Sequence, residues 1–212
     1  MADKVVLIDY GAGNLHSVYN ALKVAGSRSA NNMSEIIVSN DPKIVSDADR
    51  IVLPGVGAFG SCRDALFSSK GMIDALQDAV IDRAVPFLGI CVGMQLLASE
   101  GLERGRHEGL GWIKGSVRAV ETLTPDIKVP HMGWNDVSPV SDAPLLETGE
   151  AYYLHGYHFV DADDAHVLAR THHGVPMVAA VGRDNIMGVQ FHPEKSQQYG
   201  LDFLGRFLTW KP

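Results

Sequence analysis

Cys91 has a glycine two residues to either side, in Gly89-Ile90-Cys91-Val92-Gly93, and stands where the apolar run Val85–Ile90 gives way to a helical pattern at Val92–Leu97. This small-x-nucleophile-x-small spacing has the form of a nucleophile elbow, a sharp strand-to-helix turn whose crowding requires glycine on both sides. Such a turn exposes the sulfur at the carboxyl end of a sheet and sets it at a helix N-terminus, whose partial positive charge favours the thiolate. It also leaves the Val92 N–H free to hold a developing oxyanion. An arbitrary cysteine at a helix start is more often buried and inert, and here the glycine spacing reverses that reading. Cys62, in Gly60-Ser61-Cys62-Arg63-Asp64, has no comparable setting and reads as structural.

A nucleophilic cysteine needs a base, and the base needs a group to orient it. The chain has nine histidines, so context must choose. Phe191-His192-Pro193-Glu194 follows the apolar run Ile186–Gln190. Proline biases His192 towards extended backbone, where residues two apart point the same way. Glu194 can then lie beside His192 and fix one imidazole nitrogen while the other faces Cys91. Taken alone, a His-Pro-Glu at a strand end is more often a surface turn, and it gains weight only beside the elbow cysteine. His16, His107 and the pair His172-His173 lack metal-ligand spacing and read as surface or structural, and no metal or cofactor is expected.

The loop Pro54-Gly55-Val56-Gly57-Ala58-Phe59-Gly60 matches G-x-G-x-x-G, which raises a dinucleotide fold. Context argues against it. The loop follows a third strand, and the acidic residue about twenty positions on, Asp74, lies inside a helical pattern rather than at a strand end. A loop whose backbone N–H groups turn towards Cys91 suits these glycines better; an ordinary glycine-rich turn is the plain alternative.

These residues must be carried by a sheet. Apolar runs at Lys4–Asp9, Glu35–Ser39, Arg50–Leu53 and Val85–Ile90 alternate with helical patterns at Leu15–Ala25 and Gly71–Arg83, which predicts βαβ units and a parallel sheet. After about Gly101, short β-like runs dominate: Ser116–Val120, Tyr152–His155, His166–Ala169, Pro176–Val181 and Ile186–Phe191, closed by a helix over Gln198–Leu208. The expected fold is α/β: a three-layer, open, mostly parallel sheet with helices on both faces and an antiparallel extension. With 212 residues and no visible linker, one domain spanning 1–212 is expected. A net charge of −7 without a basic run argues against nucleic-acid binding, and no apolar stretch approaches a membrane span. No signal peptide precedes the first strand, so the cytoplasm is the default, and the Asn32-Met33-Ser34 sequon then carries no meaning.

The elbow with Gln95 four residues beyond the cysteine, the late His-Pro-Glu and the Pro-Gly-x-Gly loop together resemble the class I, triad-type glutamine amidotransferases. Within them, nearly the whole chain is similar to the glutaminase subunits of imidazole glycerol phosphate synthases. The discriminating segments are Ile8-Asp9-Tyr10-Gly11-Ala12-Gly13-Asn14-Leu15 and Val129-Pro130-His131-Met132-Gly133-Trp134-Asn135; related amidotransferases also tend to carry histidine where Met94 stands. The resemblance implies a triad of Cys91, His192 and Glu194, an oxyanion hole from Val56, Gly57 and Val92, and glutamine contacts by Gln95, Gly57, Gly156 and Tyr157. It implies that Asn14, Trp134, Tyr152 and Lys195 face a partner, a (β/α)8-barrel cyclase that consumes the ammonia. On sequence alone, Trp134 in a turn-like Gly-Trp-Asn reads as a half-buried core aromatic and Lys195 as a solvated charge. One departure stands out: where the family usually has serine or threonine after Tyr152-Tyr153-Leu154-His155, this chain has Gly156. Substrate contacts there would rest on backbone groups. The rival readings are a glutaminase for pyridoxal phosphate or sugar amination, a cysteine hydrolase of similar architecture, and a non-catalytic regulatory subunit.

Overall fold

Strands that are apolar at every position can only be stable when both faces of their sheet are covered. In the computed structural model, which describes residues 3–28, 34–123, 126–140, 143 and 145–212, this is the state of the chain's first half. β1 (Lys4–Ile8), β3 (Arg50–Leu53) and β4 (Phe87–Ile90) are buried almost throughout. β2 (Glu35–Ser39) takes the sheet edge and is only half-buried. The helices pack in two groups, α1 (Leu15–Ser27) against α6 (Gln197–Thr209), and α2 (Pro42–Ser46) against α4 (Met72–Leu76), which also meets α3 (Phe59–Ser68). The sequon residues Asn32 and Met33 lie outside the described residues.

The second half adds α5 (Val92–Gln95), β5 (Glu100–Gly101), β6 (His107–Glu108), β7 (Ser116–Ala119), β8 (His131–Pro139), β9 (Gly149–His155), β10 (Tyr157–Val160), β11 (Val167–His173), β12 (Val175–Arg183) and β13 (Ile186–Val189). The main sheet runs β2-β1-β3-β4-β13-β12-β11-β8-β9, parallel as far as β13 and antiparallel beyond it. The expected extension therefore joins the parallel sheet through β13, whose Val189 pairs with Ile90 of β4. That pairing brings the chain following β13 alongside the residue following β4.

Several expectations are corrected. A second, four-stranded sheet, β10-β7-β5-β6, was not anticipated. The Gly-Trp-Asn segment is not a turn but lies within the nine-residue β8, and Trp134 is 48% exposed rather than a core aromatic. The helix expected over Gly71–Arg83 divides into α4 and a π-helical stretch at Gln77–Asp82. α3 went unread because nothing local caps it: Ala58 at its N-cap makes no side-chain bond, and Glu103 accepts the Phe59 N–H at 2.8 Å from a distant loop. Arg50 opens β3 yet is buried, because its guanidinium donates to the carbonyls of Phe207 and Trp210 and so satisfies the C-terminal end of α6. Among the described residues, no helix is long and apolar enough to cross a membrane.

Candidate active site

The turn after β4 has the strain that the elbow spacing implies. Cys91 holds φ 54° and ψ −109°, a conformation that non-glycine residues rarely adopt and that surrounding structure must enforce. The close approach that enforces it explains both glycines: a Cβ on Gly89 would sit 2.5 Å from the Gly93 carbonyl oxygen, and one on Gly93 would sit 2.0 Å from that of Leu53. The following helix is shorter than expected. α5 ends at Gln95, and a helix of one turn carries little macrodipole, so its N-terminus contributes less to thiolate stability than the sequence suggests.

His192 arrives from β13. Its imidazole lines the same cleft as the Cys91 sulfur, and its Nδ1 lies 2.8 Å from Glu194 Oε1. The geometry differs from the expected strand alternation: His192 is extended, but Pro193–Lys195 forms a 3-10 turn, and this turn folds the carboxylate back onto the ring. Both side chains are buried, at 3% and 2% exposure. Burial by itself would push the imidazole down. The interactions with Cys91 first and with Glu194 second outweigh it and hold His192 up at about 10. The His192 ring is therefore doubly protonated at neutral pH.

A cleft of about 150 Å³ opens over the sulfur. Val56, Gly57, Val92, Gln95, Gly156 and Tyr157 all line it, as do His155 and Lys195. Gln95 donates its amide to the Tyr157 carbonyl at 2.9 Å. Gly156 has no steric need to be glycine, since an added Cβ would meet only Val129, at 3.6 Å. Glu103 also lines the cleft, and sequence reasoning missed it. No local pattern marks it, because its place depends on capping α3.

The oxyanion donors stand differently from expectation. The Val92 N–H is not free: it donates, at 3.4 Å, to the Gly55 carbonyl. With that carbonyl turned towards Val92, the Val56 N–H of the same planar peptide turns away. The loop is held on both sides of this peptide, by the Tyr10 hydroxyl donating to the Pro54 carbonyl at 2.6 Å and the Cys62 thiol donating to the Val56 carbonyl at 3.3 Å. Cys62 is thus structural as read, with a specific task beneath the loop.

Of the residues expected to face a partner, the structure brings three together. Trp134 packs edge-on to Tyr152, and Lys195 Nζ lies 5.8 Å from the centre of the Tyr152 ring. Asn14 is exposed and caps α1 through the Ser17 N–H; the adjacent Gly13 packs closely on Pro54. Met132, Trp134 and Leu154 are exposed apolar side chains on the β8–β9 ladder beside the cleft.

A second histidine cluster was not foreseen. His155 Nδ1–H donates to the Tyr157 carbonyl at 2.9 Å, so its Nε2 must accept, at 2.9 Å, from His131 Nδ1–H. His131 Nε2 in turn accepts from the Asn135 amide at 2.9 Å, and His173 stacks on the His131 ring. Burial holds His131 down at about 4 and His155 at about 3, so both stay neutral.

Known proteins resemble the chain over nearly its whole length. A family model described as class-I glutamine amidotransferase matches residues 6–209. The imidazole glycerol phosphate synthase subunit HisH of Zymomonas mobilis is 58% identical over 209 residues, which cover 98% of this chain and 96% of that relative. The HisH subunit of Rhodospirillum rubrum is 50% identical over 214 residues, with 99% and 100% covered. A solved glutamine amidotransferase aligns with a TM-score of 0.69 at 18% identity, covering 94% of this chain and 98% of its own, a likeness that bears on the fold. The chain belongs to the class-I glutamine amidotransferases, in the family of imidazole glycerol phosphate synthase HisH subunits.

Proposed function

We propose that this chain is the glutaminase subunit of an imidazole glycerol phosphate synthase, releasing ammonia from glutamine for a partner cyclase in histidine biosynthesis. The observation that carries the reading is one gathering of groups in one cleft: Cys91 and His192 line it together, and Glu194 lies 2.8 Å from the His192 ring. The named relatives favour this branch over pyridoxal phosphate or sugar amination. The single hydrophobic core running through both halves of the chain supports one domain, and the cytoplasm remains the expected setting.

With the proton already on His192, the Cys91 thiolate attacks the side-chain carbonyl carbon of glutamine, and its oxygen takes the negative charge. His192 gives its proton to the leaving nitrogen as the C–N bond breaks, which releases ammonia and leaves a glutamyl thioester. Water then loses a proton to His192 and attacks the thioester. Collapse expels the thiolate and yields glutamate, with the proton left on His192. Gln95, Gly57, Gly156 and Tyr157 line the cleft where the glutamine lies, and the Glu103 carboxylate is placed to accept from its ammonium group.

Val92, Val56 and Gly57 serve as the oxyanion hole only after the Gly55–Val56 peptide turns over, withdrawing the Gly55 carbonyl from Val92 and aiming the Val56 N–H inward. Loss of one such donor costs roughly two to three orders of magnitude in rate. Partner docking is the trigger in this reading. The exposed Met132, Trp134 and Leu154, with Tyr152, Lys195 and Asn14, form the face that receives it, and the partner is a (β/α)8-barrel cyclase.

The test is synthesis with the cyclase, comparing wild type with Cys91→Ala. Glutamine-dependent synthesis should vanish while synthesis from ammonium salts persists. Retained use of glutamine would refute the assignment, and an isolated subunit as active as the complex would refute the peptide gate.

A further inference from the structure

β4 and β13 run parallel in register, with Val189 beside Ile90, and the Cys91 N–H donates to the Val189 carbonyl at 2.8 Å. The residue after Val189 therefore emerges next to the nucleophile. That residue is Gln190, which is 0% exposed. Its Nε2 lies 3.7 Å from Cys91 Sγ, and its Oε1 lies 3.0 Å from Gln95 Nε2.

The orientation of this amide follows from its neighbours. The Tyr157 carbonyl can only accept, so Gln95 must present its NH2 group there, at 2.9 Å. The second hydrogen of the same NH2 faces Gln190, which must answer with its oxygen. Gln190 then has its own NH2 group directed at the sulfur. Turning Gln190 over would set two NH2 groups against each other, and turning both would set the Gln95 oxygen against the Tyr157 carbonyl. His155 donates to that carbonyl as well, which fixes the origin of the chain.

We propose that Gln190 is a catalytic residue of this site, a neutral donor to the Cys91 sulfur whose direction is set by the substrate-contacting Gln95. The proposal rests on the reading of Cys91 as the nucleophile. A thiol sulfur is a weak acceptor and a thiolate a strong one, so this bond gains strength as charge forms. The Leu154 carbonyl oxygen, 4.0 Å from the sulfur, would repel that charge, and an amide donor offsets it. The titratable groups around Cys91 are His192 with Glu194 behind it, Tyr10 and Cys62 beneath the loop, and His155, Glu103 and Lys195 in the cleft. Gln190 differs from all of them in exchanging no proton, so it biases the sulfur at every pH.

The experiment measures iodoacetamide alkylation of the full chain against pH, with peptide-resolved mass spectrometry separating Cys91 from Cys62. In Gln190→Met, similar in length but without a donor, the pH midpoint of Cys91 alkylation should rise by about one unit, and alkylation at pH values below that midpoint should fall about tenfold. Gln190→Glu, which replaces the donor with an acceptor, should shift the midpoint further. A merely structural role would lower stability without moving the midpoint, so an unmoved midpoint in folded Gln190→Met overturns the proposal. If neither variant folds, the side-chain amide of Gln190 is followed by nitrogen-15 NMR in the wild type. Its resonance should titrate together with Cys91 alkylation, and a resonance that ignores that transition overturns the proposal. A wild-type Cys91 that does not alkylate at all would instead refute the nucleophile reading itself.

Discussion

Two buried histidine clusters lie on the walls of one cleft, one charged and the other neutral. His192, His131 and His155 are all less than a tenth exposed, and burial pushes each imidazole down. Only His192 is lifted again, to about 10, because it alone has a thiol and a carboxylate as partners. His131 and His155 are bonded to each other, to an amide and to a carbonyl, and stay neutral at about 4 and 3. Burial therefore does not decide what a histidine does here. The partner does: one cluster holds a proton, which the proposed mechanism uses, and the other uses fixed hydrogen-bond directions to hold the Tyr157 carbonyl.

The largest expected effect comes from removing what distinguishes the first cluster. Glu194→Gln keeps the shape and removes the charge, and with it part of the lift on His192, to which Cys91 contributes first. Glutamine turnover in the complex should fall by about two to four orders of magnitude, while synthesis from ammonium salts is unchanged. A loss of less than tenfold would mean that the carboxylate is not what separates the two clusters.

A smaller effect is expected at the neutral cluster. In His155→Leu the Tyr157 carbonyl loses one donor, and the Gln95 contact with it loosens. One hydrogen bond is worth about 1 kcal/mol, so KM for glutamine should rise roughly five- to tenfold with kcat nearly unchanged. A loss confined to kcat would place His155 in the proton-transfer machinery and erase the contrast.

The smallest effect concerns stability. His158, also buried, is held at about 4, by burial first and then by the Arg118 charge. Its folded value lies below that of an unfolded histidine, so the unfolded chain binds the extra proton as pH falls through about 6.5, and stability drops until about 4. Between pH 7 and 5 this group should cost about 1–2 kcal/mol, a loss that His158→Leu removes, as read by urea unfolding at the two pH values. His192 has the opposite sign: its contribution is complete below about 6.5 and is lost as pH rises towards 10.

The contrast between clusters also marks where the sequence was readable. β1, β3 and β4 could be seen because a strand covered on both faces reads as a nearly continuous apolar run, and Cys91 because a tight elbow demands glycines at fixed spacing. His192 and Glu194 are neighbours in sequence, so their pairing was legible even though a 3-10 turn achieves it. β8 was hidden because it mixes exposed Met132 and Trp134 with buried His131, and because Gly133 takes φ 124° within the strand. The His131–His155 pair forms only when β8 and β9 align, Glu103 is placed by capping a distant helix, and Gln190 meets Cys91 only through strand register. Contacts between residues remote in sequence leave no periodic trace to read.

Nitrogen-15 NMR of the His192 imidazole, titrated in wild type and in Cys91→Ala, tests most directly whether that ring and the sulfur share one proton. The wild-type ring should stay doubly protonated until about pH 10, and loss of the sulfur should let it titrate at distinctly lower pH. A ring that titrates near pH 6.5 in both proteins, as a free histidine does, would contradict the account.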